Sequence, residues 1–391
     1  MDLDFDAADE AFRTEVRDWL ATHVPAAPLP SLETAEGFAA HREWEATLAA
    51  DRWSVVSWPE DFGGRGSSLL RWMIFEEEYY AAGAPGRVSQ NGISLLAPTL
   101  FEHGTAEQRA RVLPAMARGE VIWAQAWSEP ESGSDLASLK STAVRTEGGW
   151  LISGQKTWSS RAAFADRAFG LFRSDPDADR PHRGLTYLMF PLDAEGVTVR
   201  PIGRLDGKPA FAELFLDEVF VPDEDVIGEP GQGWRVAMST TGNERGLTLR
   251  SPGRFTAAAD RLTALWHAHG DPADTALRDR VADAVIGARA YRLFSYAGAS
   301  QILHGEGGPA GAASSLNKIY WSELDIALHE TALDLLGPYG ELADHATESP
   351  DHGSWSEGYT FSLAGPVYAG TNEIQRDIIA ERLLGLPKGR R

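Results

Sequence analysis

The apolar pattern of this 391-residue chain switches twice, from helical spacing to short runs cut by turn residues and back again. From residue 1 to 120, apolar positions recur at three- and four-residue steps: Phe12, Val16, Trp19 and Leu20 mark a first helix that Pro25 stops. Further helices are expected over Thr34–Ala50, Ser67–Ala82 and Ala106–Arg118, with a loop over Trp58–Gly66. Between Val121 and Val221 the runs shorten to Ala143–Arg145, Trp150–Ile152, Ala168–Phe172, Leu185–Phe190, Val197–Ile202 and Ala212–Val221. Tight turns are expected at Glu147-Gly-Gly149 and Ser153-Gly-Gln155, and an exposed loop over Arg173–Arg183. After Gly231 helical spacing returns, with a stripe of Leu316, Ile319, Tyr320, Leu324, Leu328 and Leu335 as in a bundle. A last helix is expected to start at Thr371 or Asn372. The order helical, β, helical narrows the architecture.

Composition then removes whole classes of function. Asp plus Glu number 57 against 36 Lys plus Arg, a net charge of −21, and no basic stretch is present to neutralise a phosphate backbone. Nucleic acid is therefore not expected as a partner. The absence of cysteine excludes disulfides, thiolate metal sites and cysteine nucleophiles. The acidic start and the lack of a long apolar run predict a cytoplasmic protein with no membrane span. No Gly-x-Gly-x-x-Gly, His-Glu-x-x-His or Glu-x-x-His occurs, so a dinucleotide fingerprint and the common zinc and di-iron sites have no support. No metal ligands are assigned. His329 reads as a structural histidine, because no partner ligand accompanies it.

Two segments do carry chemistry. Trp127-Ser-Glu-Pro-Glu-Ser-Gly-Ser-Asp135 offers hydroxyls and amides to a polar ligand edge or phosphate, with Pro130 and Gly133 fixing a turn. Gly154-Gln-Lys-Thr-Trp-Ser-Ser160 puts the Trp158 indole and the Ser160 hydroxyl two residues apart, hence on one face of a strand. An indole against a flat heterocycle with hydroxyls at its edge would make a flavin wall. On residues alone, Trp158 in a β-barrel core and an ordinary turn at Ser128–Asp135 remain an open alternative.

Read together, Trp58–Gly66, Ser128–Asp135, Gly154–Trp158, Val221-Pro222 with Gly231–Trp234, and Gly370-Thr-Asn-Glu-Ile-Gln-Arg376 resemble the acyl-CoA dehydrogenase family, block by block and in its order. The resemblance implies an α+β, mainly α fold: an N-terminal helical domain (1–120), a central β-barrel or sandwich (121–228) and a C-terminal four-helix bundle (229–391). It also implies FAD, an acyl-CoA or carrier-bound acyl thioester, an electron-transferring flavoprotein, and a homodimer or tetramer, with or without a related subunit.

Position by position, the resemblance implies that Gln125, Trp127 and Ser128 line the flavin, Ser128 replacing the usual Thr, with Gly133 in the same loop. Ser134 would lie where flavin phosphate and the pantetheine arm meet, Trp158 would cover one flavin face, and Ser160 would approach its reactive edge. Thr371, Glu373 and Gly337 match further FAD contacts. Two departures stand out. Asp334 replaces a family Gln, and the Arg-x-x-Phe-Gly segment has only a loose echo in Arg254-Phe255.

The base is the most informative position. Removing a weakly acidic α-proton needs a basic carboxylate, together with donors for the thioester oxygen. Most of the family carries that Glu immediately before Gly-Thr, where this chain has Ala369, whose backbone N–H alone could serve the thioester. A minority carries the base on the first bundle helix, directly before an Arg, and this chain has Glu244-Arg245 there. The expectation is an FAD-dependent dehydrogenase with Glu244 as base, flavin N5 as hydride acceptor and Arg245 beside the substrate. Two alternatives stay open: a weakly active partner subunit of a mixed tetramer, and a flavin oxidase on the same fold. A solvated Glu244 paired with a nearby Arg is the competing reading of that residue.

Overall fold

A computed structural model describes residues 5–244, 251–304, 312–342 and 346–388, without the side chains of 243, 244, 312 and 313. Helices α1 (Ala7–His23), α2 (Ala35–Ala50), α3 (Leu69–Ala81), α4 (Ala97–His103) and α5 (Ala106–Ala117) come first. Each N-terminus except that of α4 is capped by a side chain accepting from the first turn: Asp6, Thr34, Ser68 and Thr105. Strands β1 (Trp123–Ala126), β2 (Thr142–Thr146), β3 (Gly149–Ser160), β4 (Arg167–Arg173), β5 (Leu185–Pro191), β6 (Val197–Ile202), β7 (Phe211–Pro222) and β8 (Val226–Ile227) follow. Then come α6 (Gly233–Glu244), α7 (Pro252–His269), α8 (Thr275–Leu303), α9 (Ala312–Leu336), α10 (Ser354–Ser362) and α11 (Asn372–Ile378).

These elements gather into two compact units that do not follow chain order. One contains Pro25–Ser67 and Pro85–Glu244, hence α2, α4, α5, the strands and α6. The other contains Met1–Val24, Ser68–Ala84 and Arg245–Arg391, hence α1, α3 and the later helices. In the β unit the strands run β6-β7-β3-β2-β4-β5-β8, with β1 pairing parallel to β4. Ala124, Ile152, Phe172, Phe190, Leu214 and Val221, from five strands, meet in one core.

The helical unit is built on Phe255, Ala288, Tyr291, Trp321, Leu328 and Trp355, from α7 to α10. Ion pairs fasten α1 to α3 through Arg13–Glu78 (2.6 Å) and α8 to α3 through Arg292–Glu77 (2.6 Å).

Two expectations change here. Ser153-Gly-Gln155 is no turn: β3 runs straight through it, with a register shift at Gly154, whose φ is 142°. A Cβ at that position would meet Ser141 Oγ at 2.3 Å, so close approach, not chain reversal, requires the glycine. The expected stripe on α9 splits, since Leu324 and Leu328 are buried while Leu316 and Tyr320 face outward. The buried face of α9 includes Lys318, Ser322 and Asp325, each with a hydrogen-bond partner that makes its burial tolerable. Finally, β1 and the helical stretch Gly92–His103 had no counterpart in the apolar pattern.

Candidate active site

In the β unit, β1 and its exit carry Gln125, Trp127 and Ser128. Gln125 Nε2 and Trp127 Nε1 are buried donors with no acceptor among the described residues. Unsatisfied buried donors are costly, and these two lie two residues apart at the end of β1, which fits a ligand edge rich in acceptors. Beyond them, Glu129 and Ser132 close a turn around Pro130 through paired backbone hydrogen bonds of 3.1 Å. Gly133 and Ser134 follow it, exposed.

This loop is pinned to β3 from beneath. Thr157 N donates to Ser128 O at 2.9 Å. The Lys156 side chain has no solvent contact, and its Nζ donates to Glu129 Oε1 (2.8 Å) and Leu171 O (2.8 Å). Glu129 accepts in addition from Lys140 N (2.6 Å) and Ser141 N (2.9 Å). Burial lowers the Lys156 ammonium to about 8 even though Glu129 opposes the shift. For Glu129, burial works the other way and is overcome by Lys156 and the surrounding donors, so its carboxyl is held below the usual range.

Strand β3 bulges between Lys156 and Ser159, with Trp158 at φ 59°. The bulge buries Lys156 and Thr157 in succession and turns Trp158 outward. Trp158 is 60% exposed, far too open for a barrel-core tryptophan, and packs edge-on against Phe211. Ser160 lies two residues on, half-buried and on the same outward side.

Helix α6 belongs to this unit and ends, as described, at Glu244. Its buried Thr240 hydroxyl bonds Thr99 Oγ1 (2.7 Å) and Tyr187 Oη (3.2 Å), which fixes the helix one turn before Glu244. The Glu244 side chain and Arg245 lie outside the described residues.

In the helical unit, Ala369 and Gly370 form a left-handed pair, φ 56° and 80°. Gln375 Nε2 donates to both of their carbonyls, at 2.9 and 3.2 Å, holding the turn open toward α11. Thr371 caps α11, accepting from Ile374 N at 3.3 Å. Glu373 is exposed in the first turn, its carboxyl lowered by its own backbone N–H and by Thr371. Buried Lys318 donates to Asn372 Oδ1 (2.7 Å) and so joins α9 to α11. Gly337 ends α9 at φ 54°.

Both departures form ion pairs. Asp334 binds Arg280, and Arg254 Nη2 donates to both oxygens of Asp325, at 3.1 and 2.8 Å. His329 is structural as expected: its Nδ1 lies 2.8 Å from Asp325 O, and its ring meets the Trp355 ring edge-on. Among the described residues no cluster could hold a metal ion, and no helix is long and apolar enough to cross a membrane.

Three domain models of acyl-CoA dehydrogenases match the chain: N-terminal over residues 6–120, middle over 124–219 and C-terminal over 231–384. The chain is 38% identical to acyl-CoA dehydrogenase IpdE1 of Mycolicibacterium smegmatis, with 97% of this chain and 98% of that protein aligned. The chain belongs to the acyl-CoA dehydrogenase family.

It is also 37% identical to FadE34 of Mycobacterium tuberculosis, over 85% of this chain and 44% of that longer protein. Among solved structures, the Tcur3481-Tcur3483 steroid ACAD matches over 100% of both chains at a TM-score of 0.89 and 28% identity. The ChsE4-ChsE5 complex from Mycobacterium tuberculosis matches over 100% of both chains at 0.83 and 29%. As an acyl-CoA dehydrogenase, this chain is an FAD flavoprotein and an oxidoreductase acting on a CH–CH group. The acceptor-poor surroundings of Gln125 and Trp127, with the outward indole of Trp158 on the same unit, fit a flavin. Sequence reading missed Glu129, Lys156 and Gln375. All three sit within the quoted motifs, but burial and hydrogen bonding, not residue type, reveal what they do.

Proposed function

We propose that this acyl-CoA dehydrogenase desaturates an acyl thioester between Cα and Cβ, with Glu244 as the base. Bound FAD would supply the acceptor for the hydride that leaves Cβ. Glu244 takes the α-proton, and the Ala369 N–H donates to the thioester oxygen, where charge gathers as that proton leaves. Gln125, Trp127 and Ser128 would hold the flavin edge, Trp158 would cover a face and Ser160 would approach the reactive edge. Gly133 and Ser134 serve the phosphate and pantetheine side, Arg245 the substrate, and Thr371, Glu373 and Gly337 the remainder of the cofactor. CoA and a carrier-protein pantetheine present the same reacting group. The charge of −21 slightly disfavours an acidic carrier protein. An electron-transferring flavoprotein reoxidises the enzyme in this reading.

The observation that carries the proposal is the turn at Ala369. It keeps a left-handed conformation clamped by Gln375, yet it bears no carboxylate, which leaves the acid on α6 to do the proton transfer. The test is anaerobic bleaching of the bound flavin by a panel of acyl-CoA thioesters. The native protein bleaches with at least one of them, and Glu244→Gln stays yellow while binding flavin as before. Bleaching of that variant at the native rate would remove Glu244 from the mechanism.

A second reading is favoured by the ion pair at Asp334, which occupies a position where the family resemblance leads one to look for an adenylate contact. A related partner subunit would then complete the flavin site. Both solved neighbours named above are two-component assemblies. Flavin content of the protein purified alone separates the readings: near one flavin per chain supports self-sufficiency, and a colourless protein supports the mixed assembly.

A further inference from the structure

Arg254 is more than half of an internal ion pair. Only its Nη2 meets Asp325, bonding both carboxylate oxygens. Nε and Nη1 have no acceptor among the described residues, which leaves N–H donors of a planar fork unused. Burial is the leading influence on this guanidinium, opposing its charge, and Asp325 with the Tyr80 and Tyr368 hydroxyls more than offsets it. Yet the side chain keeps 22% of its surface open. The guanidinium is thus enclosed on most sides but still reachable.

The surroundings suit a ligand with an apolar body and a polar point. The guanidinium lies over the rings of Phe255 (5.4 Å) and Phe361 (5.7 Å). Phe361 in turn neighbours Tyr368 at 6.4 Å, and Tyr368 directly precedes Ala369. Tyr80, Phe361 and Tyr368 are all half-buried, so their rings are only partly covered by the protein's own packing. The charges also select. Asp325 neutralises Arg254, and burial lowers His329 so that it is neutral at pH 7. A desolvated carboxylate arriving here would leave an uncompensated negative charge, whereas a ketone or hydroxyl oxygen would accept from the idle donors without one.

We propose that Arg254, oriented by Asp325, is a specificity-determining residue that donates to an uncharged oxygen carried on the acyl group away from the thioester. The preferred substrates are thus oxo- or hydroxyacyl thioesters, not plain alkanoyl ones. The inference rests on the thioester reading above and deepens it.

Its test compares straight alkanoyl-CoA thioesters from hexanoyl to tetradecanoyl with the same series bearing a ketone at the penultimate carbon. Affinity for the holoenzyme is read by calorimetry and flavin reduction by absorbance. At one chain length at least, the oxo thioester binds about tenfold or more tightly than its alkanoyl parent. In the Arg254→Met/Asp325→Asn double variant, which leaves no lone buried charge, that ratio falls to near one. Arg254→Lys, which keeps the charge but not the fork, also loses most of it. Equal binding throughout both series, or a preference surviving in the double variant, overturns the proposal. If neither series reduces the flavin, the dehydrogenase reading fails, while the calorimetric ratio still decides the role of Arg254.

Discussion

Lys156 shows how the flavin loop is held at the level of single groups. An ammonium with no water around it is tolerated only because Glu129 and the Leu171 carbonyl take its protons in hydrogen bonds. Removing one partner strands the other. Lys156→Met is expected to cost about 3–5 kcal/mol, by leaving a buried carboxylate without its cation. The Lys156→Met/Glu129→Gln double variant should cost less than the two single losses added together, a coupling of about 0.5–3 kcal/mol in denaturation midpoints. Simple additivity would show that the pair does not act as a unit. The pH dependence has a definite sign. Glu129 is lowered in the fold, so its contribution is complete above the ordinary carboxylate range and is lost as pH falls through its folded value. Thermal midpoints should therefore drop on acidification below about pH 4.5, and less steeply in Glu129→Gln. For Lys156, lowered to about 8, the folded state sheds its proton before the unfolded chain does. Raising pH from about 8 toward 10 accordingly favours the fold at that site.

At the scale of elements, β3 separates what could be read in advance from what could not. Its apolar start at Trp150–Ile152 was plain, and glycine at 154 suggested a reversal, because glycine permits both turns and bulges. Only pairing with β7 distinguishes the two. Gly154→Ala is expected to destabilise the protein by about 1–3 kcal/mol, from φ 142° and the contact with Ser141. Gly133→Ala, where a Cβ meets nothing, should change stability by less than about 0.5 kcal/mol. Equal effects of the two in a denaturation series would contradict the bulge account. The helix cap at Thr371 was legible, since a hydroxyl before a periodic run has one main use. The buried polar face of α9 was not. Lys318 and Asp325 look like surface residues until Asn372 and Arg254, distant in sequence, come to meet them.

For the whole molecule, the three-part texture and the motif order gave the family, whereas the compact units mix early and late segments in a way no local pattern encodes. Long-range packing is decided by which faces fit, not by neighbours in the chain. Ile286, Leu293 and Phe294 share an outward face of α8, beside outward Leu316 and Tyr320 of α9, whose Tyr320 hydroxyl reaches Gly287 O at 3.0 Å. A row of large apolar side chains left in water is the mark of an interface. Light scattering should find an oligomer, and Ile286→Lys/Phe294→Lys should shift it toward monomer; an unchanged mass would place the interface elsewhere. The central claim, that Glu244 removes the α-proton, is tested most directly by hydrogen exchange at Cα of a bound acyl-CoA in deuterated water without an electron acceptor. The native enzyme is predicted to exchange that hydrogen, and Glu244→Gln, still carrying flavin and thioester, to slow the exchange by about 10²–10⁴-fold. Exchange at the native rate in that variant would contradict the account.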